Sequence, residues 1–238
     1  MNPDLHDQIA LVTGAGRGIG RALTLALARC GATVVAAART EPELTRVAAE
    51  ADGDVVPMRL DLADADDVAD VFRAVGKRFG QLDLLINNAG LGLYGPVAEM
   101  PIEQFDRVMA VNLRGAFAAC QQAMRLMMPR RRGYIINISS VVGVKGYPNQ
   151  AAYTASKHGL MGLTKSLAVE AADSGIRVSA ILPGGVDTDM VAKARPDLDR
   201  SILIRPEDIA TTVLYLLSLS DRAHVDQITI RRRTASPF

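Results

Sequence analysis

Tyr153 and Lys157 stand four residues apart in Tyr153-Thr-Ala-Ser-Lys157, a spacing that puts both side chains on one helix face with Cβ atoms roughly 6 Å apart. A free phenol ionises near pH 10 and exchanges protons poorly at neutral pH, whereas a neighbouring ammonium favours the phenolate. Lowering the phenol by about two pH units needs about 3 kcal/mol, within reach of a partly desolvated cation. Tyr153 is therefore a candidate proton donor and acceptor, with Lys157 as the group that tunes it. By itself such a pair commonly does no more than decorate a helix. Thirteen residues before the tyrosine, however, an aliphatic run ends in Asn137-Ile-Ser139-Ser140. A hydroxyl at that point could polarise the same substrate oxygen, as an oxyanion-stabilising donor does. Ser140 is the candidate, and Ser139 is read as a strand-end hydrogen-bonding residue.

A second set of residues suits binding rather than proton transfer. The apolar run Ile9–Thr13 leads into Thr13-Gly14-Ala15-Gly16-Arg17-Gly18-Ile19-Gly20 and then into the helical Arg21-Ala-Leu-Thr-Leu-Ala. Glycines let the backbone turn tightly and approach a ligand, and the helix start offers unpaired N–H groups and a positive dipole end to a pyrophosphate. The alternative is a glycine-rich turn without a ligand. A site for NAD(H) carries a carboxylate at the end of the second strand, about 20 residues beyond the loop. Here Val34-Val35-Ala36-Ala37-Ala38 ends in Arg39, with no acid before Glu41. The Arg39 guanidinium suits a 2′-phosphate, and Arg17 could close on the same group from the loop. NADP(H) is thus the expected cofactor, the alternative being two solvated surface arginines.

These residues need a scaffold, and the chain supplies a repeating one. Strands are expected at Ile9–Thr13, Thr33–Ala38, Val55–Leu60, Leu82–Asn87, Gly133–Ser139, Arg177–Leu182 and Gln227–Ile230. Several are apolar without alternation, the mark of strands covered on both faces. Helices are expected between them at Gly18–Cys30, Glu41–Asp52, Ala65–Phe79, Ile102–Met128, Ala151–Ser174 and Pro206–Leu219. Asp64 can cap the third, and Pro206-Glu-Asp marks the start of the last. This alternation implies an α/β fold: one Rossmann-type doubly wound domain over residues 1–238, with about seven parallel strands flanked by helices on both faces. The carboxyl ends of such strands bind ligands, so the glycine loop, Asn87-Asn88-Ala89-Gly90, Ser140 and Pro183-Gly184 converge on one crevice.

Composition narrows the class further. The chain has 238 residues, 49% hydrophobic and 22% charged, with 27 basic against 26 acidic residues and a formal charge of +1. That is ordinary globular usage, and no global field would steer nucleic acid or an anionic membrane to it. No apolar run approaches the roughly 20 residues that span a bilayer, and the first residues are polar and acidic, so a soluble cytoplasmic protein is the expectation. Cys30 and Cys120 are too few for a disulfide framework and lack zinc spacing, and no metal site is expected. His158, next to Lys157, lies about 100° around the helix and is expected to face away.

Thr13-Gly14-xxx-Gly18-x-Gly20, Asn87-Asn88-Ala89-Gly90, Ser140, Tyr153-xxx-Lys157 and Pro183-Gly184 together resemble the short-chain dehydrogenase/reductase family, from about Ile9 to Leu217. The resemblance implies an oxidoreductase that moves a hydride between NADP(H) and a carbonyl or secondary alcohol. Its active site would be Ser140, Tyr153 and Lys157, completed by Asn112, with Tyr153 as general acid/base and Asn112 maintaining a water-mediated proton path behind Lys157. Lys157 would also hold the nicotinamide ribose, and Thr188 the carboxamide. Asp61 would bond the adenine. Further cofactor contacts are implied along Gly14, Gly16, Arg17, Gly18, Ile19 and Gly20, at Arg39 and Leu62, through Asn88, Ala89 and Gly90, and at Pro183, Gly184 and Val186. The substrate would be a small carbonyl or alcohol compound of 3-oxoacyl, 3-hydroxy-acid or similar type.

Specificity is expected in Leu91–Pro96 with Tyr94, in Val141–Gln150 with Tyr147, and in a lid over Asp187–Ile204 whose mixed charges, Lys193, Arg195, Asp197, Asp199 and Arg200, do not select one substrate class. The resemblance also implies a homodimer or homotetramer built on the helices over Ile102–Met128 and Ala151–Ser174, to which Met109, Phe117, Cys120, Met124 and Leu163 could contribute. No glycine follows Gly185, a departure from the family's usual ending, and Arg231–Arg233 are read as a solvated or interface-paired tail. Two other functions share parts of this pattern. A nucleotide-sugar epimerase or dehydratase would want a further substrate domain. A non-catalytic NADP-binding sensor or scaffold would typically have lost the tyrosine or lysine.

Overall fold

The computed structural model describes residues 3–194 and 197–235; the side chain of Lys193, the residue Arg195 and the last three residues lie outside what it describes. Seven strands, β1 (Ile9–Thr13), β2 (Thr33–Ala38), β3 (Val55–Arg59), β4 (Leu84–Asn87), β5 (Gly133–Ile138), β6 (Ile176–Pro183) and β7 (Gln227–Ile230), form one sheet in the order β3-β2-β1-β4-β5-β6-β7. Every pairing is parallel. The order reverses between β1 and β4, and that switch point is where a doubly wound sheet opens a crevice.

Helices α1 (Gly18–Arg29), α2 (Glu41–Glu50), α3 (Ala65–Phe79), α4 (Ile102–Met109), α5 (Ala116–Met127), α6 (Ala151–Ala171), α7 (Asp189–Ala194) and α8 (Pro206–Leu217) carry the connections. Successive strand residues point to opposite faces, which divides the core in two. Ala10 and Val12 of β1 join Leu23 and Leu27 of α1, Leu44 of α2 and Val213 of α8. Ile9 and Leu11 join Phe72 of α3, Ala119 and Met127 of α5 and Leu167 of α6. This two-sided burial is why the strands read as unbroken apolar runs.

Local signals read from the chain act as expected at two helix starts. Asp64 accepts from the backbone N–H groups of Asp66 (2.9 Å) and Asp67 (3.4 Å), a cap worth about 1 kcal/mol. At α8 Asp208 accepts from the N–H of Arg205 at 3.0 Å, with Pro206 in the first turn. The expected continuous helix over Ile102–Met128 is instead interrupted by a π-helical turn at Ala110–Gly115. A π turn inserts a residue and rotates the following side chains, a feature that recurs at functional sites. Here it contains Asn112, only 1% exposed. Periodicity alone cannot show such a turn, because the apolar pattern resumes after it.

Among the described residues no helix is long and apolar enough to cross a membrane. Of the residues offered for an assembly interface, Phe117 is 52% exposed, but Cys120 is 2% exposed and belongs to the core.

Candidate active site

The carboxyl end of β1 is tied to the turn after β4 through one hydroxyl. Thr13 Oγ1 accepts from the N–H groups of Asn88 and Ala89, both at 3.1 Å. Asn88 returns the contact, its Nδ2 donating to the carbonyls of Thr13 at 2.9 Å and Gly14 at 3.3 Å. The glycine loop is thereby pinned open at the switch point. Gly14 has φ +66°, and a Cβ on Gly20 would lie 2.1 Å from the Gly14 carbonyl oxygen. No side chain fits there without moving the loop. Gly20→Ala should therefore lower stability by about 1–3 kcal/mol and weaken dinucleotide binding with it, as thermal melts with and without cofactor would register; unchanged binding would remove the loop from the site.

A buried polar chain fixes the next two strand ends. Asn87 Nδ2 donates to Asn137 Oδ1 (2.9 Å), Asn137 Nδ2 to Thr164 Oγ1 (2.8 Å), and Thr164 Oγ1 to the Leu160 carbonyl (2.7 Å). It couples β4 and β5 to α6, the helix that carries Tyr153 and Lys157. Asn87 and Asn137 are adjacent in the strand register, so a repeated Asn at strand ends is the sequence signal for this link.

A cavity of about 580 Å³ opens above these strand ends. Gly14, Gly16, Arg17, Gly18, Ile19, Arg39, Leu62, Asn88, Ala89, Gly90, Ser140, Tyr153, Lys157, Pro183, Gly184, Val186 and Thr188 all line it. Ser139 lines it too, while its Oγ donates to the Lys157 carbonyl at 3.4 Å. Three residues expected at the site do not line it. Gly20 lies beneath the loop, where its lack of a side chain lets the turn close. Asp61 turns one carboxylate oxygen back on the Ala63 N–H at 3.0 Å. Asn112 Oδ1 accepts from the Leu91 N–H (2.7 Å), and its Nδ2 donates to the Leu91 carbonyl (2.9 Å) and to Ser156 Oγ (3.0 Å). Asn112 is thus a clamp on the cavity-lining loop at Leu91. Its residue type and position gave no hint of this, because the partner is brought by the fold.

Lys157 is 2% exposed and donates from Nζ to the Ile138 carbonyl at 2.9 Å. Burial lowers its pKa from 10.5 to about 8. Nζ lies 5.8 Å from the centre of the Tyr153 ring. Tyr153 also meets the ring of Tyr94 edge-on, with centroids 5.9 Å apart and planes at 70°. The expectation that Lys157 draws the phenol down is not met in the structure. Burial pushes Tyr153 above its ordinary value, and the neighbouring Tyr94 adds to this, against a hydrogen bond from Ser140 that lowers it. The cost of removing a phenolate from water exceeds the pull of an ammonium that is itself desolvated. Ser140 is held in place as well: Oγ accepts from the Val142 N–H at 3.3 Å and donates to the Pro183 carbonyl at 3.4 Å.

The adenosine-side candidates carry a surprise. Arg39 is exposed at the end of β2 and lines the cavity. Arg17 lies between two carboxylates, Glu43 of α2 at 3.9 Å and Asp189 of α7 at 3.6 Å. Glu43 also lines the cavity. Its only sequence signal is an acid one turn into the helix after the second strand. In the lid, Thr188 Oγ1 accepts from the Val191 N–H at 3.4 Å, and Arg200 pairs with Asp187 at 2.7 Å.

Other reactive groups are inert or remote. Burial pushes the Cys120 thiol up to about 12. Exposed His158 bonds the Thr154 carbonyl at 3.1 Å. No group of residues suited to a metal occurs among those described. Arg231 folds back on the Ala235 carbonyl at 2.6 Å.

The arrangement, a glycine loop at the switch point and a Ser–Tyr–Lys wall across one cavity, can hold a dinucleotide beside a proton donor. Residues 8–199 match the model of the short chain dehydrogenase family. The chain is 38% identical to a 3-oxoacyl-[acyl-carrier-protein] reductase FabG of Thermotoga maritima, over 90% of this chain and 92% of that one. It is 39% identical to a D-beta-hydroxybutyrate dehydrogenase of Rhizobium meliloti (86% and 81% covered). Among solved structures, a metagenomic short-chain oxidoreductase in complex with NADP superposes with a TM-score of 0.86 at 35% identity, covering 98% of this chain and 100% of that one. Levodione reductase superposes with a TM-score of 0.89 at 32% identity, covering 95% and 96%. This chain belongs to the short-chain dehydrogenase family and is an oxidoreductase of that type.

Proposed function

We propose that the chain interconverts a small carbonyl compound and its secondary alcohol with NADP(H), on substrates of the 3-oxoacyl or 3-hydroxy class. The observation that carries this reading is the meeting of Ser140, Tyr153 and Lys157 on one wall of the cavity that the glycine loop opens. The residues suit a dinucleotide: a Cβ at Gly20 would strike the Gly14 carbonyl of the glycine loop and one at Gly14 the turn at Ala89, and the α1 N-terminus offers N–H groups to it. When bound, the nicotinamide supplies or accepts the hydride. The chain supplies position and the proton. In reduction Tyr153 gives its phenolic proton to the carbonyl oxygen, Ser140 holds that oxygen, and Lys157 balances the charge left on the phenol. In oxidation the same groups act in reverse.

Support for the substrate class comes from the relatives, whose names include 3-oxoacyl-[acyl-carrier-protein] reductase and D-beta-hydroxybutyrate dehydrogenase. Support for NADP(H) comes from Arg39 after β2 and Arg17 in the glycine loop, both lining the cavity, and from the NADP-bound structural neighbour. Exposed Ile102, Phe117 and Val169 on α4, α5 and α6 favour assembly into a dimer or tetramer.

The test is NADPH oxidation against a panel of 3-oxo thioesters, 3-oxo acids and simple ketones, with cofactor thermal shifts in parallel. Turnover on at least one class is expected; binding without turnover on any would make the chain a sensor. Arg39→Asp should lower the NADPH:NADH ratio of kcat/KM by about tenfold or more, the loss of a charge-assisted contact and the gain of a repulsive one. An unchanged ratio would refute the phosphate-facing role of Arg39.

A further inference from the structure

We propose that Glu43 is a specificity-determining residue for the cofactor, one that restrains the preference for a 2′-phosphate over a 2′-hydroxyl by engaging Arg17. The inference rests on the reading of Arg17 and Arg39 as the phosphate-facing pair.

The local charge is the starting point. By residue type this end of the cavity has two arginines and should strongly favour a phosphate. In the structure the cavity-lining groups there are Arg17 and Arg39 against Glu43 and Asp189, two cations set against two anions. Arg17 Nη1 lies 3.9 Å from Glu43 Oε1 and 3.6 Å from Asp189 Oδ2. The two acids are not equivalent. The Asp189 side chain is 67% exposed on the lid, whereas that of Glu43 is 28% exposed. Glu43 packs against the loop itself: its Oε2 would lie 2.8 Å from a Cβ on Gly16. Solvent screens the lid carboxylate more, so Glu43 exerts the larger effect on whatever binds beside Arg17.

A ribose 2′-substituent next to this pair meets opposite conditions according to its charge. A phosphate must share Arg17 with a carboxylate, or draw the arginine away from it, and is repelled by that carboxylate at short range. A hydroxyl carries no charge, leaves the Arg17–Glu43 pair intact and can donate to a carboxylate oxygen. The same side chain therefore costs one cofactor and serves the other. The wild-type chain should accept both, with a smaller preference for NADPH than its two arginines alone would confer.

The experiment compares kcat/KM for NADPH and NADH in the wild type, Glu43→Gln and Arg39→Asp, with dissociation constants from nicotinamide fluorescence where turnover with one cofactor is too slow. Glu43→Gln keeps the side-chain shape and removes the charge. It should raise the NADPH:NADH ratio about five- to tenfold through the NADPH arm, with the gain shrinking as salt is raised. Glu43→Ala should move the ratio the same way, which guards against a packing artefact in either variant. A ratio that stays within about twofold of wild type, or that falls, overturns the proposal. Arg39→Asp distinguishes this failure from that of the underlying reading. If Arg39→Asp collapses the ratio and Glu43→Gln does not move it, the phosphate reading stands and the role of Glu43 is refuted. If Glu43→Gln raises the ratio while Arg39→Asp leaves it alone, Glu43 is supported and Arg39 is the residue misassigned.

Discussion

Tyr153→Phe should lower turnover by about a thousandfold, the upper part of the range for a lost general acid, while cofactor binding stays within about threefold of wild type. The substitution removes only the phenolic oxygen. The ring remains to meet Tyr94 edge-on, and Ser140 keeps its contacts with Val142 and Pro183. The glycine loop and Arg39 are untouched, so binding and melting should hardly change. A kcat within about tenfold of wild type would mean that another group moves the proton. Parallel loss of binding and turnover would mean instead that the variant had lost its fold. Because burial holds the Tyr153 phenol above its ordinary value, Tyr153 stays protonated through the neutral range. Reduction should thus be less sensitive to pH between 6 and 8 than oxidation, which needs the phenolate and should rise with pH.

Lys157→Met should inactivate the enzyme and stabilise it. The lysine pKa falls from 10.5 to about 8 on burial, which corresponds to about 3 kcal/mol held against the charged form. Methionine has a similar length and no charge to desolvate. It forfeits the hydrogen bond to the Ile138 carbonyl, a loss of about 1 kcal/mol, leaving a net gain of about 2 kcal/mol at pH 7. The pH dependence follows from the same shift. Below pH 8 both folded and unfolded states bind the proton, and the cost is complete. As pH rises from 8 towards 10.5 the unfolded chain binds more proton than the folded one, so stability increases with pH. The thiols of Cys30 and Cys120 and the phenols of Tyr94 and Tyr153, raised by burial, act the other way as the unfolded chain loses their protons near pH 9 and pH 10, and they do so equally in wild type and Lys157→Met. The stability of the wild type relative to Lys157→Met, in which the thiols and phenols cancel, should therefore climb by about 2 kcal/mol between pH 8 and pH 10. Urea denaturation at a series of pH values, with Lys157→Met as the control that lacks the climb, measures this. A difference between wild type and Lys157→Met that stays flat over that window would show that the ammonium is solvated and that the balance of charges beside Tyr153 is different.

How much of this could be read from the chain depends on the range of the interaction involved. The strands were legible because two-sided burial leaves apolar runs such as Ile9–Thr13 and Arg177–Leu182. The Tyr153–Lys157 pair was legible because four residues is one helical turn, and the glycine loop because tight backbone geometry admits few residue types. Asn112 was reached by family likeness alone, and its hydrogen bonds to Leu91 across 21 residues have no local signature. Asp61 was likewise reached by family likeness alone, and one of its carboxylate oxygens accepts from the Ala63 N–H in its own turn. The π turn at Ala110–Gly115 was hidden because one inserted residue shifts the helical phase without breaking the apolar pattern.

Residue types and their spacing were enough to specify the α/β alternation, the loop that opens at the switch point and the placing of Tyr153 one helical turn from Lys157, since each depends on neighbours within a turn or a strand. Tertiary structure alone decided the direction in which Tyr153 is shifted, the engagement of Arg17 by Glu43 and Asp189, and the turning of Asn112 onto Leu91. Those outcomes depend on desolvation and on charges that meet only after distant segments have packed, quantities that composition and local spacing do not encode.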